Sequence, residues 1–370
     1  MYINFWYPIC TSTDLEETNP MRVELLGVRL VAFRDESGDA HVLADTCVHR
    51  GGSLSRGQVI GNNVQCPYHG WQFAGDGACA TIPSMKSGKP PARAKVDSYP
   101  VKEKYGIVFA FLGDLPENER PPLHEVAEFD MDGWMFSGPI VFEIDAYYQR
   151  SIENGMDPVH NEFVHPSQGA PSLDEERVHV KTSQWGSRFD ALYGDYQDKE
   201  SHDRIVERDD NGELRAGSEH LGPNALITDI HIPGNNSFIQ YFYEAPVSRG
   251  KTRIFFVNER NNNLDRKLDE GINASFMTVA HEDQAIIENL FPVRTPETLT
   301  KELMTPGDAA VVKYREYLGQ WDSKGWRIDE DVMQDSYGDV AYAIPCPARR
   351  TAGNWVLDPV PLVTGSNTDE

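Results

Sequence analysis

Cys47-Val48-His49 and Cys66-Pro67-Tyr68-His69 place two thiols and two imidazoles in two short segments of the chain. Four such side chains form a metal-ligand set, and two chemistries compete for it. Zinc takes Cys₂His₂ sets, usually with both cysteines grouped ahead of both histidines. Here each segment supplies one Cys and one His. That arrangement suits a [2Fe–2S] cluster with two thiolates on one iron and two neutral imidazoles on the other, which raises the potential to roughly −150 to +300 mV. Arg50-Gly51-Gly52 follows the first pair, and Pro67 and Gly70 lie within and after the second. Glycine and proline there let two loops turn tightly around a compact inorganic core. Such a site handles electrons one at a time.

A second string runs from Asn154 through Asp157, His160 and His165. Five residues of regular helix rotate by about 500°, so the two imidazoles diverge by about 140°. They meet on one metal only if the helix kinks or ends between them, and Asp157-Pro158 supplies a cause, because proline disfavours helical geometry in the residue before it. A 2-His-1-carboxylate set leaves positions on Fe(II) open to oxygen and substrate. Glu282, Asp283 and Glu288 are candidates for the carboxylate. The apolar face of their helix runs through Phe276, Val279, Ile286, Ile287 and Leu290, and Asp283 falls on it, with Glu282 about 100° away. A carboxylate on a buried stripe needs a counter-charge, which a ferrous ion provides. Taken alone, the histidine pair reads as surface or capping residues and the Asp as a cap or ion-pair partner. The iron–sulfur string in the same chain shifts the reading to a second metal.

The elements that carry these strings fall into two parts. Residues 22–34 read as strand, 35–39 as a turn and 41–44 as strand, a hairpin leading into the first cysteine loop. Ile107–Leu112 is a continuous apolar strand, so the first part, 1–116, reads as a small all-β domain. A linker at 117–122 is rich in Pro and Glu. The second part, 123–340, reads as α+β: strands at 140–144, 176–184, 187–194, 225–232, 237–243 and 252–258, a helix-like stretch at 147–164, and helices at 264–290 and 309–318. A Pro- and Gly-rich extension, 341–370, reads as lying extended over the surface.

Composition excludes several functions. Hydrophobic residues make up 39% and charged residues 25% of 370 positions, as in a soluble globular chain, and no apolar run reaches membrane-spanning length. A net charge of −24 without a basic stripe argues against nucleic-acid binding. It suits solubility, or steering toward a basic redox partner. The N-terminus has no basic region of a secretory signal. Cys10, Cys79 and Cys346 remain outside the cluster string, an odd, scattered set that points to a reducing cytoplasm.

The run of Cys47-x-His49-Arg50 and Cys66-Pro67-Tyr68-His69-Gly70-Trp71 closely resembles the Rieske proteins. Together with Asn154, Asp157, His160 and His165, and with Glu282-Asp283 followed by Glu288, the chain from about Asn4 to Tyr317 resembles the oxygenase (α) component of the Rieske non-haem iron oxygenases, of the α-only monooxygenase or demethylase type. The resemblance implies a Rieske domain joined to a helix-grip catalytic domain of antiparallel sheet and helices. It implies a [2Fe–2S] cluster on Cys47, His49, Cys66 and His69, and Fe(II) on His160, His165 and Asp283. It gives Asp157 the part of a hydrogen-bonded bridge from His160 to His69 of the partner subunit, within a homotrimer, and sets Asn154 beside the iron. The plainer readings are a helix cap for Asp157 and a surface polar residue for Asn154.

The expected reaction is oxidation of an organic, aromatic or polycyclic small molecule by O₂, as hydroxylation or demethylation. Cis-dihydroxylation, an electron carrier without oxygenase activity and a redox-sensing module are the alternatives. No G-x-G-x-x-G occurs, so electrons are expected from a separate NAD(P)H-dependent reductase, directly or through a ferredoxin. Phe276, Met277, Ile287 and His231 are candidates for the substrate lining, although residues of these types are more often plain core.

Overall fold

The computed structural model describes residues 1–15, 19–165, 173–195, 213–232, 234 and 236–364. The chain divides into two units. One comprises Met1–Leu123, Ala245–Ser248 and Trp321–Glu370; the other comprises His124–Glu244 and Arg249–Gln320.

The first unit holds strands β1 (Phe5–Thr11), β2 (Met21–Leu25), β3 (Val28–Arg34), β4 (Ala40–Ala44), β5 (Gln58–Ile60), β6 (Asn63–Gln65), β7 (Gln72–Ala74), β8 (Cys79–Thr81), β9 (Ser98–Tyr99), β10 (Val101–Lys104) and β11 (Ile107–Leu112). They form sheets ordered β1-β11-β10, β2-β3-β4-β9 and β5-β6-β7-β8. β11 is buried along its whole length, as its unbroken apolar sequence requires of a central strand covered on both faces. The stretch 22–34, expected as one strand, is a tight hairpin, since Leu26 and Gly27 both take positive φ and reverse the chain between β2 and β3.

The second unit is built on one antiparallel sheet: β12 (Met135–Ile144), β13 (Leu173–Thr182), β14 (Gly186–Asp195), β15 (Glu213–Leu221), β16 (Ala225–Ile232), β17 (Asn236–Ser248) and β18 (Lys251–Arg260). Their order is β12-β18-β17-β16-β15-β14-β13. The expected single helical stretch at 147–164 is two pieces, α1 (Tyr148–Gly155) and α2 (Asn161–Val164), separated at Asp157-Pro158. Then come α3 (Asp269–Ile287) and α4 (Ala309–Ser323). Strand β15 was not expected. Its Ala216, Gly217 and Ser218 carry no apolar alternation.

The C-terminal segment departs most from expectation. It holds α5 (Glu330–Asp335) and the short parallel pair β19 (Tyr342–Ala343) and β20 (Asp358–Pro359). Residues 321–364 belong to the first unit and are not a loose surface cover. Ala343 and Leu357 join the same apolar cluster as Cys47, Leu54, Cys66 and Phe73. Arg349 forms two hydrogen bonds, 2.6 and 2.8 Å, to the fully buried Asp97 carboxylate, and the Tyr99 hydroxyl donates to Ile344 O at 2.9 Å. The first unit is therefore all-β in its N-terminal part but completed by late sequence. The linker expected at 117–122 also lies within it. Among the described residues, no helix is long and apolar enough to cross a membrane.

Candidate metal centres and the adjoining cavity

Two loops of like construction bring the first four ligands together. In one, Gly51 N–H donates to Cys47 O (2.9 Å) and Cys47 N–H to Gly52 O (2.8 Å). In the other, Gly70 N–H donates to Cys66 O (3.0 Å) and Cys66 N–H to Trp71 O (2.8 Å). Gly51 and Gly70 both sit at φ +71°, a conformation that costs glycine nothing. At Gly52 the constraint is space, because a Cβ there would stand 2.8 Å from Cys66 Sγ. The cysteines are buried while His49 and His69 are exposed. The imidazole rings lie 4.4 Å apart, and His49 stacks on Trp71 at 4.6 Å. Burial, and the Cys66 sulfur beside it, push the Cys47 thiol up to about 12. Two adjacent buried thiolates need a cationic partner, and binding a metal core both deprotonates and holds them. The donor set and its packing fit a [2Fe–2S] cluster of mixed ligation.

The second centre is built where α1 gives way to α2. Asp157 Oδ1 accepts the Val159 N–H at 2.7 Å and closes the turn around Pro158. His160 immediately precedes α2, and His165 follows it at φ −113°, ψ 67°, outside helical geometry. That exit resolves the divergence expected of a regular helix, and the two rings stand 5.2 Å apart. One ligand atom each from His160, His165 and Asp283 lies within 4.8 Å of the others. The two Nε2 atoms stand 3.5 and 3.1 Å from Asp283 Oδ1, yet that buried oxygen accepts no hydrogen bond of regular geometry. Three donors gathered around a common point, unsatisfied by one another, fit a divalent iron. Burial pushes the Asp283 carboxyl up, but the two imidazoles outweigh it and hold the group well below the usual carboxylate range.

The other ring nitrogens are also engaged. His160 Nδ1 is 2.5 Å from Asp157 O, and His165 Nδ1 is 3.0 Å from Glu282 Oε2. Glu282, a candidate metal ligand by its sequence position, instead orients an imidazole. Glu288 accepts the Asp145 N–H and the Gln284 amide, away from the histidines.

These groups open onto a cavity of about 1130 Å³, mouth included. From α3 it is lined by Phe276, Val279, Ala280, Asp283, Gln284 and Ile287, and from α1 by Ser151, Asn154 and Gly155. A Cβ on Gly155 would fall 2.2 Å from Leu226 Cδ2, so glycine lets α1 press against β16. On its outer side α1 is pinned by Arg315, whose guanidinium spans Glu153 (2.6 Å) and Glu302 (2.6 Å). Of the candidate lining residues, Phe276 and Ile287 face the cavity. Met277 is not among the lining residues. His231 is on the other face of the sheet, held by Asp229 (2.9 Å) and Ser237 (2.7 Å). Ile286 and Leu290, assigned to the apolar face from spacing, are exposed.

Residues 5–100 match the Rieske [2Fe-2S] domain, and residues 144–323 match the vanillate O-demethylase oxygenase C-terminal domain. The chain is 27% identical over 323 residues to methylxanthine N1-demethylase NdmA of Pseudomonas putida, covering 85% of this chain and 88% of that protein. It is 25% identical over 351 residues to the oxygenase component of 3-ketosteroid-9-alpha-monooxygenase of Rhodococcus rhodochrous, covering 89% and 83%. The crystal structure of dicamba monooxygenase bound to 3,6-dichlorosalicylic acid shares the fold, with a TM-score of 0.74 and 21% identity over 88% of this chain and 98% of that one. With a Rieske domain, an oxygenase C-terminal domain and a ligand set for each of two iron cofactors, a [2Fe–2S] cluster and a mononuclear iron, the chain belongs to the Rieske non-haem iron oxygenases as an oxygenase (α) component.

Proposed function

We propose that this oxygenase works without a small β subunit, as a monooxygenase that hydroxylates or oxidatively demethylates an aromatic or polycyclic molecule. The observation that carries this reading is the convergence of His160, His165 and Asp283 on the wall of a largely apolar cavity. In this reading Cys47, His49, Cys66 and His69 hold the cluster, and His160, His165 and Asp283 hold the iron. When bound, that iron supplies the activation of dioxygen next to the substrate. The chain's own part is positional. Glu282 and the Asp157 carbonyl fix the imidazoles through their Nδ1 atoms, leaving both Nε2 atoms for the metal. Asn154 lies on the cavity wall and can hydrogen-bond oxygen or substrate there.

Asp157 is assigned the bridge between His160 and His69 of the partner subunit. Such head-to-tail contact closes into a ring, here a homotrimer. Electrons come from a separate NAD(P)H-dependent reductase, directly or through a ferredoxin. Five free, buried cysteines suit a cytoplasmic location.

The test is iron content followed by labelled turnover. Three irons per chain are expected and, with a reductase present, transfer of one atom of heavy dioxygen to the hydroxylated product or, on demethylation, to the formaldehyde released and trapped. Two irons per chain and no oxygen uptake would instead identify an electron carrier, and incorporation of both atoms a dihydroxylase.

A further inference from the structure

The sheet wall of the cavity is not uniformly apolar. Alternate residues of β15, β16 and β17 face the cavity, and one transverse row of them is polar. Ser218 pairs with Thr228, and Thr228 pairs with Gln240, across three adjacent strands. All three line the cavity. The neighbouring rows are apolar, Ala216 beside Ile230 on one side and Leu226 beside Phe242 on the other. Phe189, paired with Ser218, closes the row. The Ser218 and Thr228 hydroxyls lie 3.0 Å apart, and among the described residues the Gln240 amide has no hydrogen-bond partner. An amide and two hydroxyls can donate or accept as a ligand requires.

Charge narrows the ligand further. The ionisable groups lining the cavity are Asp157, Asp283, His160 and His165; no Lys or Arg lines it among the described residues. The nearby Arg188 belongs to the opposite face of the sheet and is committed to Asp229 (2.6 Å) and Asp190 (2.7 Å). A carboxylate docked on this row would find no cationic side chain, and the iron that His160, His165 and Asp283 would hold belongs to another wall, with its charge partly balanced by Asp283 and Asp157. An unpaired charge taken out of water is far costlier than a neutral polar group that finds a hydrogen bond.

We propose that the substrate is an uncharged, mainly apolar molecule. It carries one neutral hydrogen-bonding group, a carbonyl, amide or hydroxyl, which docks on the Ser218–Thr228–Gln240 row. This rests on the oxygenase reading of the cavity and names its substrate class. Row and metal triad occupy different walls, so the polar group anchors one part of the molecule while another part is presented to the iron ligands.

Three matched probes test this on the iron-loaded holoenzyme by equilibrium binding. They are 2-acetyl-6-methoxynaphthalene, 6-methoxy-2-naphthoate and 2-ethyl-6-methoxynaphthalene. The ketone is expected to bind about tenfold or more tighter than the naphthoate, and tighter than the ethyl analogue. In Gln240→Leu and in Ser218→Ala/Thr228→Val the ketone should lose its advantage over the ethyl analogue, whose own affinity is retained. Equal or tighter binding of the naphthoate, absence of binding by the ketone, or an unchanged ketone-to-ethyl ratio in folded variants overturns the proposal. The wild-type ranking stands even if a variant does not fold. Binding is read without turnover, so a failure of the oxygenase reading, seen in iron content and oxygen uptake, is separable.

Discussion

His165 lies between adjacent carboxylates of one helix: its Nδ1 is 3.0 Å from Glu282 Oε2 and its Nε2 is 3.1 Å from Asp283 Oδ1. Consecutive residues of α3 thus address opposite edges of a single imidazole. One carboxylate sets the ring's tautomer while the other shares its metal-facing side.

Glu282→Ala should therefore weaken iron retention without removing a ligand. A partner of this kind is worth about 10–100-fold in metal affinity. Competition with a chelator should show faster loss of one iron per chain, with visible absorbance of the cluster unchanged. Glu282→Gln, which can still accept from Nδ1, should fall between the variant and the wild type. Equal retention in all three would show that Glu282 does not orient the ligand.

Asp157→Asn separates the capping role from the proposed bridge. Asparagine can still accept the Val159 N–H, so the turn should survive. Turnover should drop about 10–100-fold while both iron sites stay filled. Reduction of the cluster by the reductase should be unaffected, and its reoxidation in the presence of substrate should be slow. Full turnover with both sites filled would remove Asp157 from the electron path.

Glu244 makes a prediction about pH. It is fully buried, and neither carboxyl oxygen has a regular hydrogen bond; burial pushes the group up to about 8 despite the nearby Ser151 hydroxyl. In the unfolded chain the carboxyl ionises above its ordinary value of 4.5. Between there and about 8 the native state binds the extra proton, so stability falls as pH rises through that window. Glu244→Gln should remove this slope. It should stabilise the protein at pH 8, on the order of a few kcal/mol, and change little near pH 4.5. Denaturant unfolding at the two pH values measures the difference.

Arg349→Ala should be severe for a residue so far along the chain. It leaves the Asp97 carboxylate, with no exposed surface, without its guanidinium. Removing one partner of a buried pair costs about 3–5 kcal/mol. Denaturant unfolding followed by cluster absorbance should show the loss. Arg349→Lys should recover part of it, because a point charge cannot make both hydrogen bonds.

The candidate metal ligands are marked by features local in sequence. Cysteine and histidine spacing marks the two loops, and helical phase distinguishes Asp283 from Glu282 because the cavity stripe of α3 runs through Phe276, Val279, Asp283 and Ile287. Ile286 and Leu290 share the apolar pattern yet are exposed, since apolar type alone does not reveal which side of a helix is covered. What escaped was set by distant partners. Glu282 meets His165 across 117 positions of sequence. β15 is a strand because β14 and β16 pair with it on both sides, and its small polar residues reflect a cavity wall where a packed core would have shown alternation. The C-terminal segment reads as surface from its prolines and glycines, yet Ile344, Cys346 and Val360 are buried. The Arg349–Asp97 and Arg350–Asp114 pairs and a few buried apolar residues help to anchor it.

That anchoring bears on the order of events during synthesis. Met1 pairs with Glu330, the Tyr2 hydroxyl with Asp322, and Asp97 with Arg349. The unit that begins at the N-terminus cannot finish folding until sequence beyond the whole catalytic unit has left the ribosome. A chain cut short after the catalytic unit would lack Ala343 and Leu357, which pack in the same apolar cluster as Cys47 and Cys66.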